Sequence, residues 1–152
     1  MEKPKLVYVT YIKTTPEKLW EALTNPDFIQ QYWYGRRNES DLRVGSKIQS
    51  YGPEREPEWS GEILKCEPPR VLSYTFVEGS EAPSRVTFEI GKLGESAGPN
   101  GEPVRLTITH DEFPVGSEVM EKVSNGWPGI MAGLKTLLET GHPLGITSGC
   151  EG

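Results

Sequence analysis

Three consecutive segments in the middle of the chain alternate apolar and polar residues with a period of two. The apolar members are Leu72, Tyr74 and Phe76, then Val86, Phe88 and Ile90, then Val104, Leu106, Ile108 and His110. Because successive side chains of a strand point to opposite faces, this pattern predicts an antiparallel sheet with one solvated face and one covered face. Another part of the chain must therefore supply the cover.

Further strand-like segments surround these three. The sequence predicts strands at 6–13, 46–51, 58–66, 70–77, 84–91 and 103–111. The breaks between the later strands are Gly52-Pro53, Pro68-Pro69, residues 78–83 and the loop 95–103. Connections of hairpin length indicate an antiparallel meander. In the first strand, the period of two points Leu6, Tyr8, Thr10 and Ile12 inward.

Two short helices are predicted directly after the first strand. Thr15 is a typical N-cap residue and Pro16 suits the first helical position. Pro26 disfavours the helical conformation at the residue before it, so this helix ends near 24. A second short helix is expected at 27–33, capped by Asn25 or Asp27.

The cover for the sheet is a long amphipathic helix at about 115–140. Its apolar stripe consists of Val119, Val123, Trp127, Ile130, Leu134 and Leu137, and Gly141 is a natural C-terminal cap. Pro128 and the glycines at 126, 129 and 133 weaken this helix. Two interpretations stay open: one continuous helix with a kink, or a helix that starts near Trp127 after a separate piece at 116–124.

This order of elements resembles the helix-grip layout of the Bet v 1-like and START-related (SRPBCC) proteins. More narrowly, the chain resembles the AHSA1 family, named after the activator of Hsp90 ATPase. The matching stretches are 12–33 (IKTTPEKLWEALTNPDFIQQYW), 42–46, 61–76, 105–113 and 126–139. The resemblance implies an α+β helix-grip fold in which a curved antiparallel sheet wraps a long C-terminal helix, with a cavity between them. One domain is expected at 1–140 and a flexible tail at 141–152.

Composition excludes several classes of partner. The net charge of −6 disfavours a nucleic-acid partner, because phosphate binding needs a basic face. No apolar run approaches the ~20 residues of a membrane span, and the N-terminus does not look like a signal peptide, so we expect a cytoplasmic protein without membrane contact.

Cys66 and Cys150 match no metal spacing and are expected to be free thiols, with a disulfide as the alternative.

Few residues could carry out catalysis. The chain has two histidines, of which His142 lies in the predicted tail and His110 on the inward face of the last strand. His110 precedes Asp111, yet no further histidine could complete a metal site, so we expect no metal and no cofactor. His110 is either a hydrogen-bonded core residue or a polar contact for a ligand. No catalytic residue is assigned, and an enzyme is the less favoured interpretation.

The aromatic residues are the most informative group. Aromatic walls with a few polar groups are typical of small-molecule pockets, and we expect a cavity of a few hundred Å³. The predicted ligand-binding residues are Tyr8, Trp33, Tyr74, Phe76, Phe88, His110, Trp127, Met131 and Leu134. The function predicted first is therefore binding of an apolar or aromatic small molecule.

Other functions remain open alternatives. One is a cyclase- or aromatase-like enzyme in the same cavity, with His110 as its general acid or base. Another is an interaction module for an Hsp90-type chaperone, as the resemblance implies. A homodimer is also left open.

Overall fold

The computed structural model describes residues 4–92 and 103–143. The elements are β1 (Leu6–Ile12), α1 (Pro16–Thr24), α2 (Pro26–Tyr32), β2 (Arg37–Ser40), β3 (Lys47–Tyr51), β4 (Pro57–Glu67), β5 (Val71–Phe76), β6 (Ser84–Lys92), β7 (Val104–Asp111) and α3 (Glu118–Thr140). The strands form one seven-stranded sheet in the order β1-β7-β6-β5-β4-β3-β2. All of its pairings are antiparallel, so the predicted α+β helix-grip fold is confirmed.

The sequence pattern identified every strand except β2. This strand, RNES, has four polar residues and therefore lacks the alternation that marks the others. It is nevertheless held in the sheet by its pairing with β3. Most of the predicted loop at 95–103 and most of the predicted tail lie outside the described residues, as does Cys150, whereas Cys66 is a free, half-buried thiol.

The first third of the chain follows its local signals closely. On β1, Ile12 is fully buried, whereas Val7 and Val9 are each 50% exposed, which confirms the predicted inward face. The Thr15 hydroxyl accepts a hydrogen bond from the Lys18 N–H at 3.3 Å and caps α1. Asn25, one of the two predicted candidates, caps α2 by accepting a bond from the Asp27 N–H at 2.8 Å.

The long helix α3 is continuous through Pro128, so the two-piece alternative is wrong. Ser117 caps its N-terminus, and Gly141 ends it in the left-handed conformation at φ 81°. The Glu81 carboxylate, from the loop between β5 and β6, also accepts hydrogen bonds from Ser117 and from the Glu118 and Val119 N–H groups. The helix start is therefore fastened to the sheet through this loop.

Two of the glycines in α3 make room for tyrosines from the segment 32–34, which begins with the last residue of α2. A methyl group on Gly129 would overlap the Tyr34 hydroxyl, and one on Gly133 would lie 3.2 Å from the Tyr32 Cβ. The Tyr34 hydroxyl donates a 3.0 Å hydrogen bond to the Gly126 carbonyl. The glycines thus weaken the isolated helix but let this segment pack directly against its backbone.

Replacing Gly129 tests this contact. We expect Gly129→Ala to lower the free energy of unfolding by about 1–2 kcal/mol, because the new methyl group displaces Tyr34 and breaks its hydrogen bond. In a Tyr34→Phe background the same change should be neutral or stabilising, since alanine favours helix and the overlapping oxygen is gone. Urea unfolding of the wild type, the two single variants and the double variant measures the coupling between Gly129 and Tyr34.

Gly126→Ala is the matched control for this cycle. A methyl group at Gly126 would meet no atom within 4 Å. We therefore expect this variant to gain about 0.5–1 kcal/mol from helix propensity alone. Equal effects of the two alanine substitutions would show that Gly129 is not needed for the Tyr34 contact.

Candidate ligand-binding site

Aromatic rings fill most of the space between the sheet and α3. Trp33 packs against Trp59 with ring centroids 5.8 Å apart and against Trp127 at 5.3 Å. Trp59 in turn contacts Phe76 at 4.7 Å and stacks on Tyr74 at 5.4 Å. These five rings form a continuous cluster, so the wide cavity implied by the layout is occupied largely by side chains.

A recess of about 100 Å³ remains at one end of this cluster. It is lined by Trp33, Arg36, Glu58, Trp59, Phe76, Glu78, Lys122, Val123, Gly126, Trp127 and Ile130. The volume is smaller than the few hundred Å³ that we expected, because the tryptophans occupy the rest. The recess is smaller than an apolar cavity of ~150 Å³ that binds benzene in another protein, so it admits a single ring at most.

The mouth of the recess carries two ion pairs. Arg36 and Glu58 are 3.1 Å apart, and both side chains are about three-quarters buried. Lys122, on α3, pairs with Glu78 after β5. The two pairs balance in charge, so the mouth is polar without a net charge, above a floor of aromatic rings. The second pair also links α3 to the sheet across the opening.

Behind the recess, His110 is fully buried in a hydrogen-bonded chain. The Trp127 indole N–H donates to Nδ1 of His110 at 3.1 Å. Because an indole can only donate, Nδ1 is the acceptor and the imidazole hydrogen resides on Nε2. Nε2 then donates to the Ser84 hydroxyl at 2.7 Å, and Ser84 donates to the Phe76 carbonyl at 3.3 Å.

This arrangement stabilises the neutral imidazole. Burial lowers the pKa of His110 from 6.5 to about 4, against an opposing effect of the Asp111 charge. A proton on Nδ1 would also face the Trp127 N–H donor and break that bond. Both ring nitrogens are engaged by protein atoms, so the geometry favours the hydrogen-bonded core histidine over a general acid or base.

The structure distributes the predicted site residues over three places. Trp33, Phe76 and Trp127 line the recess. The buried core behind it contains Tyr74, Phe88, His110 and Leu134. Tyr8 and Met131 are half-buried and pack against that core away from the recess. Their role in ligand binding stays a prediction, with the first three residues in a position to touch a molecule in the recess.

Sequence reasoning missed several residues of the recess. Trp59 was recognisable as an inward aromatic residue, because it lies on a predicted strand. The charged residues Arg36, Glu58, Glu78 and Lys122 carried no such signal, since they read as solvated surface positions and converge only in the folded chain. Over 4–92 and 103–143, no cluster of three His, Cys, Asp or Glu side chains could hold a metal ion.

The described helices include none that is long and apolar enough to cross a membrane. A curved antiparallel sheet that grips a long C-terminal helix, with short helices after the first strand, is the fold of the Bet v 1-like (SRPBCC) class of helix-grip domains. Within that class, the profile of the Activator of Hsp90 ATPase homolog 1-like (AHSA1) proteins matches residues 13–139. The chain therefore belongs to the AHSA1 family.

Solved structures agree with this assignment. CalU16 from Micromonospora echinospora is 25% identical, with a TM-score of 0.72 over 91% of this chain and 76% of that chain. An Aha1 dimer from Colwellia psychrerythraea is 19% identical, with a TM-score of 0.69 over 91% of this chain and 98% of that one. PFC0360w, an HSP90 activator from Plasmodium falciparum, is 22% identical, with a TM-score of 0.71 over 91% and 97% of the two chains. The last two likenesses show the fold alone, and comparison with curated proteins gave no match.

The buried histidine predicts a pH-dependent stability. Since the pKa of His110 is depressed in the folded state, the unfolded chain binds more protons between about pH 4 and 6.5. Stability should therefore fall as the pH drops from 6.5 toward 4, by up to about 3 kcal/mol in total. Urea unfolding between pH 7 and about 5.5 measures this slope where few carboxylates bind protons.

A matched pair of variants isolates the contribution of His110. His110→Gln keeps a donor and an acceptor but does not titrate, so its stability should vary much less over this range. His142→Gln removes the exposed histidine and should keep the wild-type slope. If the stability of His110→Gln fell with pH as steeply as that of the wild type, His110 would not be the source of the pH dependence.

Proposed function

We propose that this protein binds an apolar or aromatic small molecule in the recess between the sheet and α3. The observation that carries the proposal is an apolar floor formed by the rings of Trp33, Trp59, Phe76 and Trp127 beneath a polar mouth. Concave apolar sites with a few polar groups at their edge are typical of small-molecule binding. Membership of the AHSA1 family supports either ligand binding or a role like that of an Hsp90 co-chaperone.

The size of the recess sets the binding mode. At most one ring fits inside, and any larger ligand extends through the mouth toward the Arg36–Glu58 and Lys122–Glu78 pairs. Each 100 Å² of apolar surface removed from water contributes about 2.5 kcal/mol before the costs of association. A one-ring probe should consequently bind weakly, with a dissociation constant on the order of 1 mM.

Ethylbenzene is a suitable probe for this proposal. The indole N–H signals of the four tryptophans can be followed by ¹H–¹⁵N NMR during a titration. We expect saturable shifts for Trp33, Trp59 and Trp127, which line the recess, and none for Trp20, which lies on α1 outside it. A titration without saturation at these three signals would refute the proposed site.

Two leucine variants on the same helix provide the control. Gly126→Leu places a side chain in the recess, where a Cβ meets no atom within 4 Å, and should abolish the shifts without unfolding the protein. Ala132→Leu adds comparable bulk at an exposed position of α3 and should leave the titration unchanged. Loss of binding in both variants would point to a general effect on the helix.

The family description supports a second candidate, an interaction with an Hsp90-type chaperone. This function predicts a complex with such a chaperone and a change in its ATPase rate. The complex should be insensitive to Gly126→Leu, because that change fills the recess and leaves the outer surface intact. Measurement of chaperone ATPase activity with wild type and Gly126→Leu therefore separates the two functions.

An enzyme of the cyclase or aromatase type is supported less. Its candidate acid or base, His110, is fully buried and lies behind the recess, with both nitrogens bonded to protein groups. A homodimer and a cytoplasmic location remain proposals. Sedimentation velocity tests whether the protein is a homodimer, and the similar Aha1 structure, which is a dimer, motivates this measurement.

A further inference from the structure

The Arg36–Glu58 pair at the mouth of the recess leaves part of its hydrogen-bonding capacity unused. Nε and Nη2 of Arg36 both donate to a single carboxylate oxygen, Oε1 of Glu58, at 3.2 and 3.1 Å. A bidentate pairing of the two groups would use both carboxylate oxygens. Within residues 4–92 and 103–143, no protein group forms a hydrogen bond with Oε2 of Glu58 or with Nη1 of Arg36.

Both of these atoms are open to solvent. In the described part of the chain, the side-chain atoms that are sealed from water without a partner belong to Asn38, Ser50 and Trp59. Since neither Oε2 of Glu58 nor Nη1 of Arg36 is among them, each keeps some contact with water, and both side chains line the recess. The mouth therefore presents one free acceptor and one free donor on side chains that are already bonded to each other.

These two side chains are also held in place. Arg36 is 21% exposed and Glu58 25%, so the surrounding atoms restrict both. The backbone N–H of Arg36 donates to the Trp33 carbonyl at 3.0 Å, which ties Arg36 to a residue of the aromatic floor. In the other pair, Lys122 is 64% exposed, and a hydrated ammonium on a flexible stem fixes little. The Arg36–Glu58 pair is accordingly the one that can orient a ligand.

The charges of the pair determine which ligand group suits it. A carboxylate at the mouth would be attracted by Arg36 and repelled by Glu58, and an ammonium would meet the reverse, so neither gains much Coulomb energy. Either charge would also lose hydration in a half-buried site. A neutral group with a donor and an acceptor side by side bonds both free atoms and leaves the ion pair intact.

We infer that the Arg36–Glu58 pair is the specificity determinant of the recess and that the ligand is an aromatic molecule with a neutral donor–acceptor group beside its ring, such as a carboxamide. The ring occupies the apolar floor, the amide carbonyl accepts from Arg36, and the amide N–H donates to Glu58. Hydrogen bonds with charged partners are stronger than those between neutral groups, so this contact adds selectivity to a small apolar site. The inference rests on the proposed function and adds the class of ligand.

Benzamide and ethylbenzene are the probes that test it. Each has a single ring, the largest group that the recess admits, and only benzamide has the donor and the acceptor. Saturable shifts of the recess indole signals give the dissociation constant of each probe. An amide is better hydrated than a hydrocarbon, so affinities in a single protein do not isolate the hydrogen bonds. The comparison is therefore made between variants.

The double variant Arg36→Met, Glu58→Met removes the donor and the acceptor together. Replacing both partners of an ion pair by apolar side chains of similar length leaves no uncompensated charge, so the protein should stay folded. The ratio of the dissociation constant of benzamide to that of ethylbenzene should rise at least about tenfold in this variant, the value of one hydrogen bond to a charged group.

The double variant Lys122→Met, Glu78→Met is the matched control. It removes the other ion pair of the mouth and makes the same change in charge and polarity. An effect that applies to both probes cancels in the ratio, so the ratio should keep its wild-type value. Equal rises in the two double variants, or a rise in this one alone, would overturn the role of Arg36 and Glu58.

The outcomes separate the two proposals. If both probes bind and the ratio is the same in the wild type and in Arg36→Met, Glu58→Met, the inference is refuted and the apolar site stands. Binding of ethylbenzene without binding of benzamide has the same meaning. Tighter binding of benzoate than of benzamide would show that the mouth selects an anion and would also refute the inference. If neither benzamide nor ethylbenzene binds the wild-type protein, the proposed function and this inference both fail.

Discussion

The insertion of Trp127 into the concave face of the sheet is the interaction on which the rest of the structure depends. Its ring lies 6.0 Å from that of Phe88 and 5.3 Å from that of Trp33, and its N–H is bonded to His110. One side chain of α3 thus joins the central strands, the segment after α2 and the recess. A hydrogen bond fixes the indole in one orientation, whereas apolar packing alone tolerates several.

The fold could be predicted because its signals are local and periodic. Alternation along β5, β6 and β7 identified the inner face, and the Thr15 cap and the Gly141 terminator placed two helix ends. The sequence did not predict β2, because its four polar residues show no alternation and are held in the sheet by pairing with β3. Pattern reasoning therefore works where burial follows a period and fails where neighbouring strands impose the conformation.

The site was harder to predict, since it depends on how side chains from distant segments share a volume. Inward-facing aromatic residues were recognisable, but which of them fill the core and which border a space is decided by packing. Tyr74 and Phe88 are buried in the core behind the recess, whereas Trp59 is buried and also lines the recess. The role of Gly129 is equally non-local, because its partner Tyr34 is far away in sequence and reaches it through a left-handed turn.

A recess with fixed walls has consequences for binding. Each wall is fastened independently of any ligand: Trp127 by His110, the segment after α2 by the Tyr34 contact with α3, and the mouth by its ion pairs. Such a site costs little ordering free energy when it is filled, so a small apolar area can yield measurable affinity. The groups that hold the walls are bonded within the protein, and they contribute to stability.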